Sequence, residues 1–217
     1  MTQPDILHLI AKYGIVPVIA IESVDAAIPL ADALLAGGLP LVEITFRTAA
    51  AADAIRRITA ERPDVLVGAG TVLTKENLKL AVDCGARFGV APGLNPQIVR
   101  LAQEAGLPFV PGVATPSEIE QALSLGCKVL KFFPAEALGG LAMLQSLAAP
   151  YAHTGVRFVP TGGVNRDNLR AYLAVPQIVA VGGTWLAKKE DLAEGRWQEI
   201  QDRCAEATQV VTKLRGG

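Results

Sequence analysis

Residues 42–69, VEITFRTAAAADAIRRITAERPDVLVGA, contain the unit from which the chain is built. A short run rich in β-branched residues ends near a polar or small residue, a segment with helical spacing follows, and a second run begins at Val65. Eight such units predict eight strands: Val16 to Ile21, Val42 to Phe46, Val65 to Ala69, Phe88 to Ala91, Phe109 to Pro111, Val129 to Phe133, Arg157 to Pro160 and Ile178 to Val181. Alternating strands and helices favour a parallel sheet with right-handed crossovers. Eight units predict an α/β fold of the (β/α)8 TIM-barrel type, whereas fewer would favour an open doubly wound sheet.

Helical patterns flank the repeat, over Asp5 to Tyr13 before it and over Trp197 to Leu214 after it. We therefore expect an extra N-terminal helix outside the repeat. Neither a linker nor a low-complexity tract interrupts the chain, so residues 1–217 are predicted to form a single barrel domain. Helix starts are predicted at four capping residues and helix ends at four glycines, namely Ser23, Asn95, Thr115 and Asn165, and Gly37, Gly85, Gly106 and Gly126.

The composition argues against several classes of partner. The chain is 51% hydrophobic, enough to bury a large core, and its formal net charge is −1. Because no Lys and Arg cluster stands out, nucleic acid and membrane surfaces are not expected partners. Three widely spaced cysteines predict neither a disulfide framework nor a zinc site. The chain has no signal-peptide pattern and no apolar run long enough to cross a bilayer, so we expect a cytoplasmic protein.

Lys131 is the first candidate for chemistry, because it interrupts an otherwise apolar strand, Val129 to Phe133. A charged ammonium in such a strand is costly unless it is paired or loses its proton. Desolvation or a nearby cation frees a lysine amine for attack on a carbonyl. The alternative is a lysine at a strand end that extends its ammonium to solvent.

Glu43, Thr45 and Arg47 form the second candidate group, since alternate residues of a strand share one face. A carboxylate there would move protons, and a guanidinium would hold a substrate carboxylate through two hydrogen bonds. The alternative is a structural ion pair between Glu43 and Arg47.

Glycine-rich segments follow three of the predicted strands. In Gly68-Ala69-Gly70-Thr71 the glycines would let a ligand approach the backbone, and the Thr71 hydroxyl would bind a carboxylate. Thr161-Gly162-Gly163 follows the seventh strand and Gly182-Gly183-Thr184 the eighth. The loops after strands seven and eight commonly hold phosphate in barrels of this type. Ordinary tight turns are the alternative in all three places.

Some kinds of site are missing from the sequence. Its only histidines, His8 and His153, lie away from the predicted strand ends, so no metal site is expected. No GxGxxG or GxxxxGK[ST] motif indicates a dinucleotide or ATP site.

Together these residues resemble the KDPG/KHG aldolase family, which is named for 2-keto-3-deoxy-6-phosphogluconate (KDPG) and 4-hydroxy-2-oxoglutarate (KHG). The similarity extends from Val16-Pro17-Val18-Ile19 to Gly182-Gly183-Thr184-Trp185-Leu186, and its most specific match is Lys131-Phe132-Phe133-Pro134-Ala135-Glu136. Four further motifs match: Glu43-Ile44-Thr45-Phe46-Arg47-Thr48, Gly68-Ala69-Gly70-Thr71-Val72, Pro92-Gly93-Leu94 and Pro160-Thr161-Gly162-Gly163.

The resemblance implies a trimeric TIM barrel that reversibly cleaves KDPG, a phosphorylated 2-keto acid, to pyruvate and glyceraldehyde 3-phosphate. It implies that Lys131 forms the imine and that Glu43 is the general acid/base. The protonated imine would itself act as the electron sink, so no cofactor is expected. The implied contacts to substrate are Arg47, Thr71 and Pro92 at the carboxylate, Phe133 and Thr161 beside the reacting chain, and Gly162, Gly163, Gly183 and Thr184 at the phosphate.

The sequence departs from the family pattern at two positions. Thr184 stands where the family more often has serine, and Ala91 stands where a serine more often precedes the Pro-Gly pair. The added methyl of Thr184 would shift the preference among acceptor aldehydes.

Several alternatives to KDPG cleavage remain open. They are an aldolase acting on KHG or on the galactonate-derived epimer of KDPG, a phosphate-binding barrel isomerase without an imine, and a non-catalytic trimeric scaffold.

Overall fold

The computed structural model describes residues 3–215, with the side chains of residues 7–215, and contains nine parallel strands. The strands are β1 (Ile15–Ile19), β2 (Leu41–Thr45), β3 (Leu66–Gly70), β4 (Phe88–Val90), β5 (Phe109–Val110), β6 (Gly112–Val113), β7 (Val129–Phe132), β8 (Arg157–Pro160) and β9 (Val181–Gly183). Most follow the predicted bounds closely. The last strand differs, because it begins at Val181 and includes Gly182 and Gly183, which the sequence had indicated as a loop.

Ten α-helices are described in residues 3–215, and most follow a strand. They are α1 (Gln3–Tyr13), α2 (Ala27–Ala36), α3 (Ala51–Glu61), α4 (Lys75–Asp83), α5 (Pro96–Glu104), α6 (Pro116–Ser124), α7 (Gly140–Ala148), α8 (Leu169–Leu173), α9 (Lys189–Ala193) and α10 (Trp197–Arg215). None of the helices in this part of the chain has the length and apolar character that crossing a bilayer requires.

The strands form two curled parallel sheets. One has the order β5-β4-β3-β2-β1-β9 and the other the order β6-β7-β8. Pro111 alone separates β5 from β6, and an isolated bridge pairs Thr161, just after β8, with Gly182 of β9. Proline has no N–H to donate to a sheet, which accounts for the interruption at Pro111. The two sheets are therefore neighbours along both of their edges.

Two apolar clusters stabilise the sheets. Alanine, valine, leucine and isoleucine side chains fill the space between the strands and the helices. A smaller inner cluster on the opposite face includes Val16, Leu41, Phe88 and Val110, and Ile10 of α1 packs against it. Burial of a large aliphatic side chain such as Ile10 contributes about 1.5–3 kcal/mol before its conformational entropy is subtracted. Through Ile10, α1 therefore helps to stabilise the inner face of the sheets.

Local signals at the helix ends behave largely as the sequence predicts. Thr115 and Glu118 form a reciprocal capping box at α6, and Asn95 caps α5 before Pro96. Ser23 caps a 3-10 turn ahead of α2. At α8 the capping position is occupied by Asn168 rather than by Asn165, although Asn165 Oδ1 accepts a hydrogen bond from the Asp167 amide at 2.8 Å.

Candidate functional site

Lys131 and Glu43 meet on the inner face, although they belong to different sheets. Glu43 lies in the middle of β2, and Lys131 lies in β7 between Gly112 of β6 and Val159 of β8. Lys131 Nζ is 3.5 Å from Glu43 Oε1, and the two side chains are only 7% and 4% exposed. The alternative of a lysine that extends its ammonium to solvent therefore does not hold, since the amine is buried beside a carboxylate.

The Glu43 carboxylate is held by charge more than by hydrogen bonding. Its Oε1 is fully buried and, within residues 3–215, no hydrogen-bond donor satisfies it. A buried carboxylate is costly unless an opposite charge or a donor compensates it, and the Lys131 ammonium lies at the outer limit of hydrogen-bond distance. An unsatisfied oxygen beside an amine is well suited to exchange a proton with a group that enters the site.

The glycines of β3 make room for this carboxylate. A Cβ atom on Gly70 would lie 2.2 Å from Glu43 Oε1, and one on Gly68 would lie 2.3 Å from the Phe88 ring. Both distances are far below van der Waals contact, so these positions require glycine. The sequence predicts that these glycines admit a ligand, but the side chains of Phe88 and Glu43 occupy the space beside them.

Arg47 lies just beyond β2 and is exposed. Its Nε donates a hydrogen bond to Thr45 Oγ1 at 3.1 Å, and its backbone amide donates to the Thr45 carbonyl at 2.7 Å. The structural ion pair considered as an alternative does not form, because the partner of Glu43 in the described part of the chain is Lys131.

Thr71 and Pro92 follow neighbouring strands, β3 and β4, and both are half-buried. Thr71 has a φ of 59°, the left-handed region that a β-branched residue rarely adopts. Such a conformation costs on the order of 1–3 kcal/mol and persists only where the surroundings impose it. The Val72 amide, which donates to the Val90 carbonyl at 3.1 Å, supplies part of that constraint.

Phe133 and Thr161 lie beside the lysine. The Phe133 ring centroid is 5.3 Å from Lys131 Nζ, which permits a cation–π contact when the amine is protonated. Thr161 is buried, and Gly182 lies so close that a Cβ there would be 2.2 Å from Thr161 Oγ1. Lys131, Glu43 and Thr161 line one cavity of about 20 Å³ whose other walls are the apolar side chains of the inner cluster.

The glycine doublets lie at the ends of β8 and β9. Gly162 and Gly163 have φ values of 97° and 87°, which only glycine adopts readily. Gly183 is covered by the Trp185 ring, and Thr184 is exposed. The bridge between Thr161 and Gly182 holds the two loops next to each other.

Glu136 and Tyr172 support this end of the site, a role that the sequence analysis missed. The Tyr172 hydroxyl donates a hydrogen bond to Glu136 Oε1, and a Cβ on Gly163 would lie 2.5 Å from Glu136 Cβ. Burial, and then the hydrogen bond to the carboxylate, raise the pKa of Tyr172 above its ordinary value, so the hydroxyl keeps its proton. Glu136 could have been noticed as the last residue of the motif that begins at Lys131.

The predicted residues therefore fall into three groups. Lys131, Glu43 and Thr161 line one buried cavity, with the half-buried Phe133 beside Lys131. Arg47, Thr71 and Pro92 follow β2 to β4, and Gly162, Gly163, Gly183 and Thr184 follow or end β8 and β9. Across residues 3–215 no three His, Cys, Asp or Glu side chains are grouped so that they would hold a metal ion.

Known proteins match this chain over nearly its full length. The family model for KDPG and KHG aldolase matches residues 6–203. The 2-dehydro-3-deoxy-phosphogluconate aldolase of Haemophilus influenzae is 48% identical over 210 residues, which cover 97% of this chain and 98% of that protein.

Two solved structures are similar in fold as well as in sequence. The KDPG aldolase of Legionella pneumophila, with pyruvate captured at low pH as a covalent carbinolamine intermediate, is 37% identical with a TM-score of 0.89 and covers 93% of this chain and 97% of its own. The 2-keto-3-deoxy-6-phosphogluconate aldolase of Zymomonas mobilis with 3-phosphoglycerate is 38% identical with a TM-score of 0.85, and covers 93% and 94%. From its sequence and its fold alike, the chain belongs to the KDPG and KHG aldolase family.

Proposed function

We propose that this protein is a class I, Schiff-base aldolase that reversibly cleaves KDPG to pyruvate and glyceraldehyde 3-phosphate. The observation that carries the proposal is the buried pair of Lys131 Nζ and Glu43 Oε1, 3.5 Å apart. Membership of the family supports the choice of reaction, and the pyruvate carbinolamine of the Legionella pneumophila relative supports a covalent route.

Imine formation is the first step of the proposed mechanism. The Lys131 amine, free of its extra proton, attacks the C2 ketone and forms a carbinolamine, which loses water to give a protonated imine. Glu43 Oε1, 3.5 Å from the amine, moves the protons that this dehydration needs. No cofactor is required, because the imine cation accepts electrons from the bond that breaks next.

Cleavage follows from the same two groups. Glu43, directly or through one water, takes the proton of the C4 hydroxyl while the C3–C4 bond breaks and its electron pair moves into an enamine. Glyceraldehyde 3-phosphate leaves. The enamine takes a proton at C3, and water then hydrolyses the imine to release pyruvate and the Lys131 amine.

The carboxylate end of the substrate is assigned to Arg47, Thr71 and Pro92. Arg47 provides a guanidinium that matches a carboxylate through two parallel hydrogen bonds. The Thr71 hydroxyl supplies a further donor, and Pro92 lines the same end. Phe133 and Thr161 would contact the chain on either side of the imine, since both lie beside Lys131.

The phosphate is assigned to Gly162, Gly163, Gly183 and Thr184. Backbone N–H groups in loops with left-handed glycines can converge on an anion, and a phosphate far from the breaking bond orients the substrate. The 3-phosphoglycerate in the Zymomonas mobilis relative is consistent with a phosphorylated ligand in this family.

We propose further that the two sheets close into one (β/α)8 barrel, with α1 as an extra helix, and that residues 1–217 form a single catalytic domain. Pro111 and the bridge between Thr161 and Gly182 support closure. A cytoplasmic homotrimer is the assembly we propose, on the basis of the resemblance. The free cysteines Cys84, Cys127 and Cys204 fit a reducing compartment, and light scattering would test the trimer.

A second candidate substrate is KHG, because the matching family model covers both activities. KHG carries no phosphate, so it would not use the glycine doublets in the way proposed here. The kcat/KM values for KDPG, its galactonate-derived epimer and KHG would distinguish the three. A preference for KHG would leave the imine chemistry intact and would contradict the phosphate assignment.

Mass spectrometry of the intact protein after incubation with pyruvate and borohydride tests the proposal. We expect one reduced pyruvyl adduct, mapped to the peptide that contains Lys131. Lys131→Arg should abolish the adduct and the cleavage of KDPG. Lys128→Arg makes the same change at a nearby exposed lysine and should leave both intact. No adduct on the folded wild-type protein would overturn the Schiff-base mechanism.

A further inference from the structure

Thr45 has a buried hydroxyl with two partners. Its side chain is at the carboxyl end of β2 and the residue is only 2% exposed. The hydroxyl donates to the Ile19 carbonyl at the end of β1 at 3.1 Å, and it accepts from Arg47 Nε at 3.1 Å. A hydroxyl has one proton, so donation to Ile19 directs its lone pairs toward the guanidinium.

This contact fixes one edge of the guanidinium and leaves the other available. With Nε engaged by Thr45, the terminal Nη1 and Nη2 atoms remain for a ligand, and no carboxylate in residues 7–215 forms a salt bridge with Arg47. A neutral hydroxyl orients the side chain without reducing its attraction for an anion, whereas a carboxylate partner would compete. Arginine side chains lose considerable rotamer freedom on ligand binding, and a partly fixed side chain loses less.

We propose that Thr45 is a positioning residue that aims Arg47 at the carboxylate of the 2-keto acid and so sets the affinity for the substrate's carboxylate end. The inference rests on the proposed function, and it adds a residue that acts on substrate only through Arg47. It predicts that loss of the Thr45 hydroxyl weakens the binding only of substrates that carry a carboxylate.

Borohydride trapping at increasing pyruvate concentration measures this effect, with pyruvamide as the uncharged analogue. Thr45→Val removes the hydroxyl and keeps the shape of the side chain. It should raise the half-saturating pyruvate concentration on the order of tenfold, because Arg47 loses the hydrogen bond that orients its guanidinium. The value for pyruvamide should not change. Thr45→Ser keeps the hydroxyl and should restore the wild-type value.

Thr48→Val is the matched control. Thr48 also donates its hydroxyl to a carbonyl that follows β1, that of Ile21, but it makes no hydrogen bond to Arg47. It should therefore leave pyruvate trapping unchanged. In an Arg47→Ala background, Thr45→Val should have no additional effect, because the residue it positions is gone. Thr45→Ala is the second variant if Thr45→Val does not fold.

Three results would overturn the inference. They are unchanged pyruvate saturation in Thr45→Val, an equal change for pyruvate and pyruvamide, and an undiminished effect of Thr45→Val in the Arg47→Ala background. The last two would mean that Thr45 only shapes the barrel. An absence of any adduct in the wild-type protein is a separate result, which would overturn the proposed function and this inference with it.

Discussion

Gly70 faces the Glu43 carboxylate so closely that a single added methyl group on Gly70 would lie 2.2 Å from Oε1 and 2.7 Å from Cγ. The absence of a side chain at Gly70 on β3 therefore allows the Glu43 carboxylate on β2 to occupy its position. If Glu43 is the general acid/base that we propose, its position depends on the absence of a side chain at Gly70.

Gly70→Ala should displace the Glu43 side chain from Lys131. Because a positioned acid or base contributes about 10²–10⁴-fold to a rate, we expect kcat for KDPG cleavage to fall at least about 100-fold. Gly93→Ala is the control, since a Cβ there meets no atom within 4 Å and Gly93 has no left-handed φ. Steady-state kinetics on both variants, with circular dichroism to check folding, makes the test. Equal activity in the two variants would show that Glu43 tolerates displacement.

Glu43→Gln separates imine formation from proton transfer. The variant should still trap some pyruvate on Lys131, but exchange of the pyruvate methyl protons with deuterium should fall about 10²–10⁴-fold, because that exchange needs a base. Proton NMR in D2O measures the exchange. Glu61→Gln changes an exposed carboxylate on α3 and should exchange at the wild-type rate. Exchange at the wild-type rate in Glu43→Gln would exclude Glu43 as the base.

Gly163→Ala should weaken binding at the phosphate end alone. It forces alanine into a φ of 87° and brings its Cβ against Glu136. We expect KM for KDPG to rise about tenfold or more, a loss of about 1.4 kcal/mol, while pyruvate trapping is unchanged.

Gly155→Ala is the control for that variant. Gly155 has a similar φ of 75°, but a Cβ there meets nothing within 4 Å. It should cost about 1–2 kcal/mol of stability through the backbone without changing KM. If both variants raise KM alike, the effect at Gly163 is general strain.

Asp191 should make stability depend on acid pH. Its carboxylate is buried and accepts hydrogen bonds from Arg196 Nε at 2.9 Å, from Arg203 and from the Lys188 amide. Burial alone would raise its pKa, but the Lys188 amide and the two guanidinium groups outweigh burial and hold the pKa below its ordinary value. A lowered pKa gives stability that is complete above the unfolded value, near 3.9, and is lost as the pH falls through the folded value.

Asp191→Asn should therefore lower the free energy of unfolding by about 2 kcal/mol or more at pH 7. The difference from wild type should shrink below about pH 4, where the wild-type carboxylate also becomes protonated. Urea denaturation at several pH values measures it. Asp53→Asn breaks only an exposed pair with Arg56 and should change stability by less than about 1 kcal/mol at every pH. A difference that does not vary with pH would show that shape, not charge, matters at Asp191.

Lys131 and Glu43 could be singled out from the sequence because their charge conflicts with their surroundings. Lys131 and Glu43 each interrupt an apolar strand, and strand parity groups Lys131 with its neighbours Val129 and Phe133, and Glu43 with Thr45 and Arg47. Parity does not reveal which side chains meet across a sheet, however. The sequence suggested only an ion pair with Arg47 as the structural alternative for Glu43, and it predicted neither the contact between Glu43 and Lys131 nor the one between Arg47 and Thr45.

Glycine was the residue most easily misinterpreted. Gly182 and Gly183 have low strand propensity, and the sequence predicts a loop there, yet both residues belong to β9. A side chain at Gly182 would clash with Thr161, and one at Gly183 would clash with Trp185. Gly68 and Gly70 indicated a path for a ligand and instead accommodate Phe88 and Glu43. Glycines in a strand indicate that another group lies close to the backbone. Which group this is, a ligand or a protein side chain, becomes known only when the register of the neighbouring strands is known.

The division of the pair between two sheets has a consequence for the synthesis of the chain. Glu43 is in the sheet that contains β1 to β5, and Lys131 is in the sheet that begins with β6. A nascent chain therefore carries an uncompensated acid on β2 until β7 has emerged and docked, and burying that acid alone would be unfavourable. The acid on β2 is therefore compensated only when the strand that carries Lys131 packs against it, so the formation of this pair links the folding of the two sheets.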